Sequence, residues 1–136
     1  MARRRKIRNF PTEPVPALIE SLSHDGKGVA HIDGKATFVA GALPGEEVMI
    51  RLHNRHRSYD EAVTVEVLKA SVDRVEPQCA HYELCGGCSL QHLSHEAQIA
   101  AKQSVLVEAF KRLGKLDIPT IQPAITGDVW GYRRKA

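Results

Sequence analysis

Between Val15 and Leu68 the apolar residues come in short runs, several alternating with polar positions, and the first three runs are followed by turns containing glycine, proline or aspartate. A period of two with such punctuation marks β-strands buried on one face. The pattern predicts strands over residues 15–22, 28–32, 36–39, 47–52 and 62–68. Turns are expected at His24-Asp25-Gly26, Asp33-Gly34 and Leu43-Pro44-Gly45. Asp-Gly suits a two-residue hairpin because both residues tolerate positive φ. About five short strands in so little chain should close, or nearly close, into a small barrel, since closure removes exposed strand edges. An OB-like barrel over residues 15–70 fits best, with an SH3-like barrel as the alternative.

The periodicity then fades. Residues 71–93 are irregular, and so poor in apolar side chains that a bound metal is the expected source of order. A helix follows over residues 94–114. Ser94 is placed to cap it and Glu96 suits the positive end of its dipole. Ile99, Leu106, Phe110 and Leu113 share one face, and Gly114 is a natural stop. Residues 115–136, with Pro119 and Pro123, read as a connector ending in Trp130-Gly-Tyr-Arg-Arg-Lys-Ala136, the truncated start of a further domain. Ahead of the strands, residues 1–14 form a flexible basic arm.

Charge adds a candidate partner. The 136-residue chain carries a net charge of +3. Arg3, Arg4, Arg5, Lys6 and Arg8 account for all of it, because the remainder has 14 basic and 16 acidic residues. Such an arm binds a phosphate backbone by counterion release, or is simply a solvated tail. Arg51, Arg55 and Arg57, interleaved with His53 and His56, read as a basic loop that grips nucleic acid or as a solvated hairpin tip. Arg133 and Arg134 lie beside Trp130 and Tyr132, which combines stacking with charge. No apolar run approaches the roughly 20 residues of a membrane span, and no apolar stretch backs the basic N-terminus as in a secretory signal. The expectation is a cytoplasmic monomer with no membrane partner.

The three cysteines, Cys79, Cys85 and Cys88, sit within one short segment. In a reducing compartment, clustered thiols favour metal binding over disulfides. A zinc site would add His81, His92 or His95, and the Cys88-x3-His92 gap suits a Cys₃His set. An iron–sulfur cluster would need a fourth thiolate from elsewhere. A redox Cys-x2-Cys pair is opposed by the third cysteine and by the lack of a βαβ frame. Spacing alone leaves zinc and cluster open. No phosphate loop or dinucleotide fingerprint is present.

Gly26-Lys-Gly-Val-Ala30 and Phe38-Val-Ala-Gly41-Ala-Leu-Pro-Gly45-Glu-Glu-Val48 resemble the wording of a TRAM domain, an OB-like RNA-binding module. With Cys-x5-Cys-Gly-Gly-Cys, Leu90-Gln91-His92, the helix and the Trp130-Gly-Tyr-Arg-Arg ending, essentially the whole chain resembles the N-terminal part of the bacterial 23S rRNA uracil-5-methyltransferases. The resemblance implies that Cys79, Cys85 and Cys88 are ligands of a [4Fe–4S] cluster whose fourth ligand is absent here. It implies 23S rRNA as partner and S-adenosylmethionine as methyl donor, bound by a domain with no counterpart in this sequence. The family's catalytic thiolate and base also have no counterpart, so no catalytic residue is expected and the chain alone should be inactive. Methyl transfer needs no electrons, so a cluster is expected to be structural or RNA-positioning. The alternative is a stand-alone RNA-binding protein with a Cys₃His zinc site through His92.

Overall fold

The computed structural model describes residues 13–135. Arg3, Arg4, Arg5, Lys6 and Arg8 lie outside the described residues. Six strands come first: β1 (Val15–Leu18), β2 (Ser21–Leu22), β3 (Gly28–Ile32), β4 (Lys35–Ala40), β5 (Glu47–Arg55) and β6 (Tyr59–Lys69). Two helices follow, α1 (Tyr82–Cys85) and α2 (His95–Arg112). The chain divides into two compact units, one ending at His92 and the other beginning at Leu93.

The strands form one mainly antiparallel sheet in the order β1-β5-β6-β4-β3-β2, with β4 and β6 parallel. The mainly-β, OB-like architecture is as expected, with six strands where about five were expected and an open sheet in place of a closed barrel. The first expected strand breaks at Ile19 and Glu20, because the backbone there changes partner. Ile19 N–H bonds Glu46 and Ile19 C=O accepts from Gly45, whereas Glu20 N–H bonds Val29. β1 therefore pairs with β5 and β2 with β3. The two ends of the sheet are halves of one bent run, and among the described residues no continuous ladder closes the sheet on itself. Pro16 is tolerated in β1 because β1 is an edge strand, which has no second neighbour waiting for its N–H.

The core is aliphatic throughout. Ile19, Val39, Val48, Ile50 and Leu52 interdigitate with Ala17, Ala30, Ala42 and Ala62. Gly28 makes the bend possible. A Cβ there would lie 2.9 Å from Ile19 Cγ2 and 3.0 Å from the Ala42 carbonyl oxygen. The Asp33-Gly34 hairpin forms as expected, both residues taking positive φ between β3 and β4.

In the second unit Ser94 caps α2, its hydroxyl accepting from Ala97 N–H, and Glu96 sits in the first turn. Gly114 ends the helix for a different reason from the expected one. Lys115, not Gly114, adopts the left-handed conformation, while a Cβ on Gly114 would approach the Phe110 carbonyl oxygen to 2.7 Å. No α2 residue is buried, and Leu106 and Phe110 stay 49% and 41% exposed. No helix among the described residues is long and apolar enough to cross a membrane.

Candidate functional site

Residues 75–92 form a loop whose neck is closed by a hydrogen bond from Val75 N–H to His92 C=O at 3.0 Å. Inside it Tyr82 N–H bonds Cys79 C=O and Cys79 N–H bonds the Gln91 side-chain oxygen. The single turn α1 then carries Tyr82 to Cys85. Gly86 follows it in the left-handed conformation, and a Cβ on Gly87 would lie 3.3 Å from Cys85 Sγ. All three thiols are free. Cys85 and Cys88 are exposed and Cys79 is half-buried. By chemistry this donor set fits a thiophilic metal or cluster. By position it is not gathered, since no three His, Cys, Asp or Glu side chains converge on a metal site among the described residues.

The loop is packed around Tyr82 and His92. The Tyr82 hydroxyl donates to Ser89 C=O at 2.9 Å and also meets His92 Nδ1. One hydroxyl proton cannot serve both groups. Both are satisfied when Nδ1 carries the ring proton and donates to the tyrosine oxygen. Nε2 then holds a lone pair, and it is buried with no hydrogen-bond partner among the described residues. His92 is 3% exposed. Burial, with the nearby Arg74 guanidinium, lowers its pKa to about 4, so the ring is neutral at pH 7. Burial likewise pushes the Tyr82 hydroxyl pKa up.

A buried ion pair fastens this loop to the sheet. Glu46 is fully buried, and its carboxylate accepts four hydrogen bonds. Oε1 takes Ser71 N–H at 3.1 Å and Arg74 Nε at 2.6 Å; Oε2 takes Leu43 N–H at 2.9 Å and Arg74 Nη2 at 2.8 Å. Arg74 Nη2 also donates to the Gly41 carbonyl. Burial pushes the Glu46 pKa up, but Arg74 and the two backbone donors more than offset it and hold the carboxyl below its ordinary value. A second fastening is apolar. Gly26, at φ +85°, leaves room for Leu90, whose Cδ2 a Cβ would meet at 3.2 Å.

The basic residues fall differently from expectation. Arg51, His53 and Arg55 belong to β5 rather than to a loop, and the chain turns only at residues 56–58. A register shift between Leu52 and Asn54 then reverses the faces. Arg51 pairs across from Val63 and Asn54 from Glu61, on the outer face, while Arg55 is set opposite Asp60. Asp60 is nearly buried and is held by Lys35 Nζ at 2.6 Å and Arg55 Nε at 3.5 Å. Arg55 is thus partly committed to the fold, whereas Arg51 and Arg57 are exposed. Arg133 and Arg134 are exposed in the second unit, near Trp130 and Tyr132, which are 51% and 73% exposed.

Glu46, Arg74 and Tyr82 were not expected from the sequence. Glu46 follows Pro44-Gly45 and reads as a solvated turn acid, and no spacing links it to Arg74 across 28 positions.

Residues 11–65 match the family model described as "TRAM domain". The whole chain is 48% identical to the 23S rRNA (uracil(1939)-C(5))-methyltransferase RlmD of Methylococcus capsulatus, of which it covers 31%. It is 53% identical over its full length to the enzyme of the same name from Alcanivorax borkumensis, covering 30% of it. With that of Xanthomonas campestris pv. campestris it shares 51% identity, over 99% of this chain and 31% of the relative. The chain therefore spans about a third of the length of the curated relatives it matches.

Proposed function

From the premise that this chain carries a TRAM domain and corresponds end to end to the N-terminal portion of the 23S rRNA uracil-C5-methyltransferases, we propose that it is the RNA-holding and cluster-bearing part of such an enzyme. The observation that carries this is the 48–53% identity over 99–100% of this chain, a span that takes in the sheet, the cysteine loop and the Trp130 segment.

In this reading the sheet and its basic residues hold 23S rRNA near the target uridine. The holding matters because a base must leave its stack before an enzyme can reach it, and extrusion costs a few kcal/mol that contacts to the flanking RNA must offset. The methyl group comes from S-adenosylmethionine bound elsewhere in the full enzyme, and no catalytic role falls to this chain. Cys79, Cys85 and Cys88 are the ligands for a [4Fe–4S] cluster, which when bound would crosslink the exposed side of the loop. The loop's own residues do the rest: Glu46–Arg74 ties it to the sheet, and Tyr82 with His92 orders its interior.

One observation favours zinc instead. His92 presents a buried, unprotonated Nε2 with no partner among the described residues, as a ligand to a Cys₃His site would. Metal and sulfide analysis after anaerobic purification separates the two. Iron with acid-labile sulfide, lost in each of Cys79→Ser, Cys85→Ser and Cys88→Ser and retained in His92→Ala, supports the cluster. Stoichiometric zinc that disappears in His92→Ala refutes it. A filter-binding measurement with a 23S rRNA fragment tests the RNA assignment, and absence of binding at low salt would sink it.

A further inference from the structure

The sheet keeps its aromatic residues out of its core. The buried hydrophobic side chains of the sheet are all aliphatic, and Phe38 in β4 and Tyr59 in β6 stand on the outer face, half-buried. They do not stand alone. Phe38 and Tyr59 meet edge to face, with centroids 5.4 Å apart and planes at 79°. His56, at the hairpin end, stacks on Tyr59 at 4.2 Å and 23°. The result is a short column, Phe38 to Tyr59 to His56, with His56 as its outer end and its side chain 36% exposed.

The end ring is held in place. His56 N–H bonds Tyr59 C=O, which fixes the turn, and Lys35 Nζ donates to His56 C=O. Its Nε2 lies 3.2 Å from Glu61 Oε2 and 3.0 Å from Asn54 Nδ2. A ring fixed this way loses little freedom when a flat ligand lands on it, which is the condition for stacking to show up as affinity.

We propose that the His56–Tyr59 column, backed by Phe38, is a stacking platform for an unpaired RNA base, with Arg51 and Arg57 contacting the flanking phosphates. This rests on the reading that the chain binds RNA, and names where and through which chemistry. Charge favours a nucleic acid over an apolar protein surface as the occupant. Arg57, next to His56 in the turn, and Arg51, opposite Val63 on the outer face, are exposed cations. The acid in contact with the column, Glu61, already has both oxygens engaged, by Lys27 at 3.5 Å on one side and by Asn54 and His56 on the other. A phosphate chain passing these residues therefore meets cations and a compensated carboxylate.

The test uses a single-stranded oligoribonucleotide of about ten nucleotides, within the usual site size, carrying one 2-aminopurine, and a duplex of the same sequence. The single strand should bind more tightly, with 2-aminopurine fluorescence quenched at saturation. His56→Ala and Tyr59→Leu should each weaken single-strand binding about 5- to 150-fold, the range of one stacked base, and restore the fluorescence. His56→Phe, which keeps a ring, should retain affinity and quenching. Arg57→Gln should instead lower the slope of log K against log salt by about one. Thermal melts establish that each variant is folded. If Tyr59→Leu does not fold, His56→Ala, outside the strand ladder, decides alone. Unaltered binding in folded His56→Ala, or equal affinity for duplex, overturns the platform while the RNA reading stands. Absence of any RNA binding by the wild type overturns both.

Discussion

Replacing Glu46 with glutamine tests whether the cysteine loop is held by the buried ion pair. Every contact of the carboxylate is with a donor: Ser71 N–H and Arg74 Nε on Oε1, Leu43 N–H and Arg74 Nη2 on Oε2. An amide in the same place keeps one acceptor oxygen but turns an NH₂ group towards two donors, so two hydrogen bonds are lost whichever way it flips. It also leaves the Arg74 guanidinium, 24% exposed, without its counter-charge. Hydrogen bonds to a charged group contribute about 1.5–3 kcal/mol each, and breaking a buried pair costs about 3–5 kcal/mol. Glu46→Gln should therefore destabilise the first unit by about 3–5 kcal/mol at pH 7, a large part of a typical domain's stability. Because folding lowers the Glu46 pKa, the pair's contribution is present above the unfolded value of about 4.3 and is lost as pH falls through the folded value. The gap between wild type and variant should narrow accordingly below about pH 4. Urea melts followed by far-ultraviolet circular dichroism measure it, with hydrogen exchange at Ser71 and Leu43 N–H as the local readout. A difference under about 1 kcal/mol at pH 7, or one unchanged in acid, would refute the assignment.

Further expectations follow from single contacts. Gly28→Ala should cost about 1–3 kcal/mol, since its methyl group meets Ile19 and the Ala42 carbonyl at 2.9–3.0 Å; a thermal melt no lower than wild type contradicts this. Gly114→Ala should lower the stability of α2 by about 1 kcal/mol despite alanine's better helix propensity, because of the 2.7 Å approach to Phe110 C=O; helix content on heating reports it, and a gain in stability reverses the reading. For His92 the folded pKa lies below the ordinary value, so its contribution is complete above pH 6.5 and is lost as pH falls from 6.5 to about 4. Up to about 3 kcal/mol is at stake in the metal-free chain, and an NMR titration showing a His92 midpoint near 6.5 rules it out.

The strands, the Asp33-Gly34 hairpin and the Ser94-capped helix were legible because each depends on residues adjacent in sequence. The break at Ile19–Glu20 was not, because its cause is the competing partners Glu46 and Val29. The basic run 51–57 was visible as charge, but not the register shift that gives Arg55 to Asp60 and leaves Arg51 outward. Cys79, Cys85 and Cys88 were legible as a donor set by spacing. The loop neck at Val75–His92 and the Tyr82–His92 contact that order the surroundings were not.

By itself the amino-acid sequence determined the local periods and turns, the three-thiol donor set and the resemblance to the rRNA methyltransferases, because all of these are written in neighbouring residues. Tertiary structure alone decided that Glu46 is buried and bound to Arg74, that His92 is neutral, and that Phe38, Tyr59 and His56 line up on the outer face. Those outcomes depend on desolvation and on groups brought close by the sheet, and neither spacing nor composition encodes them.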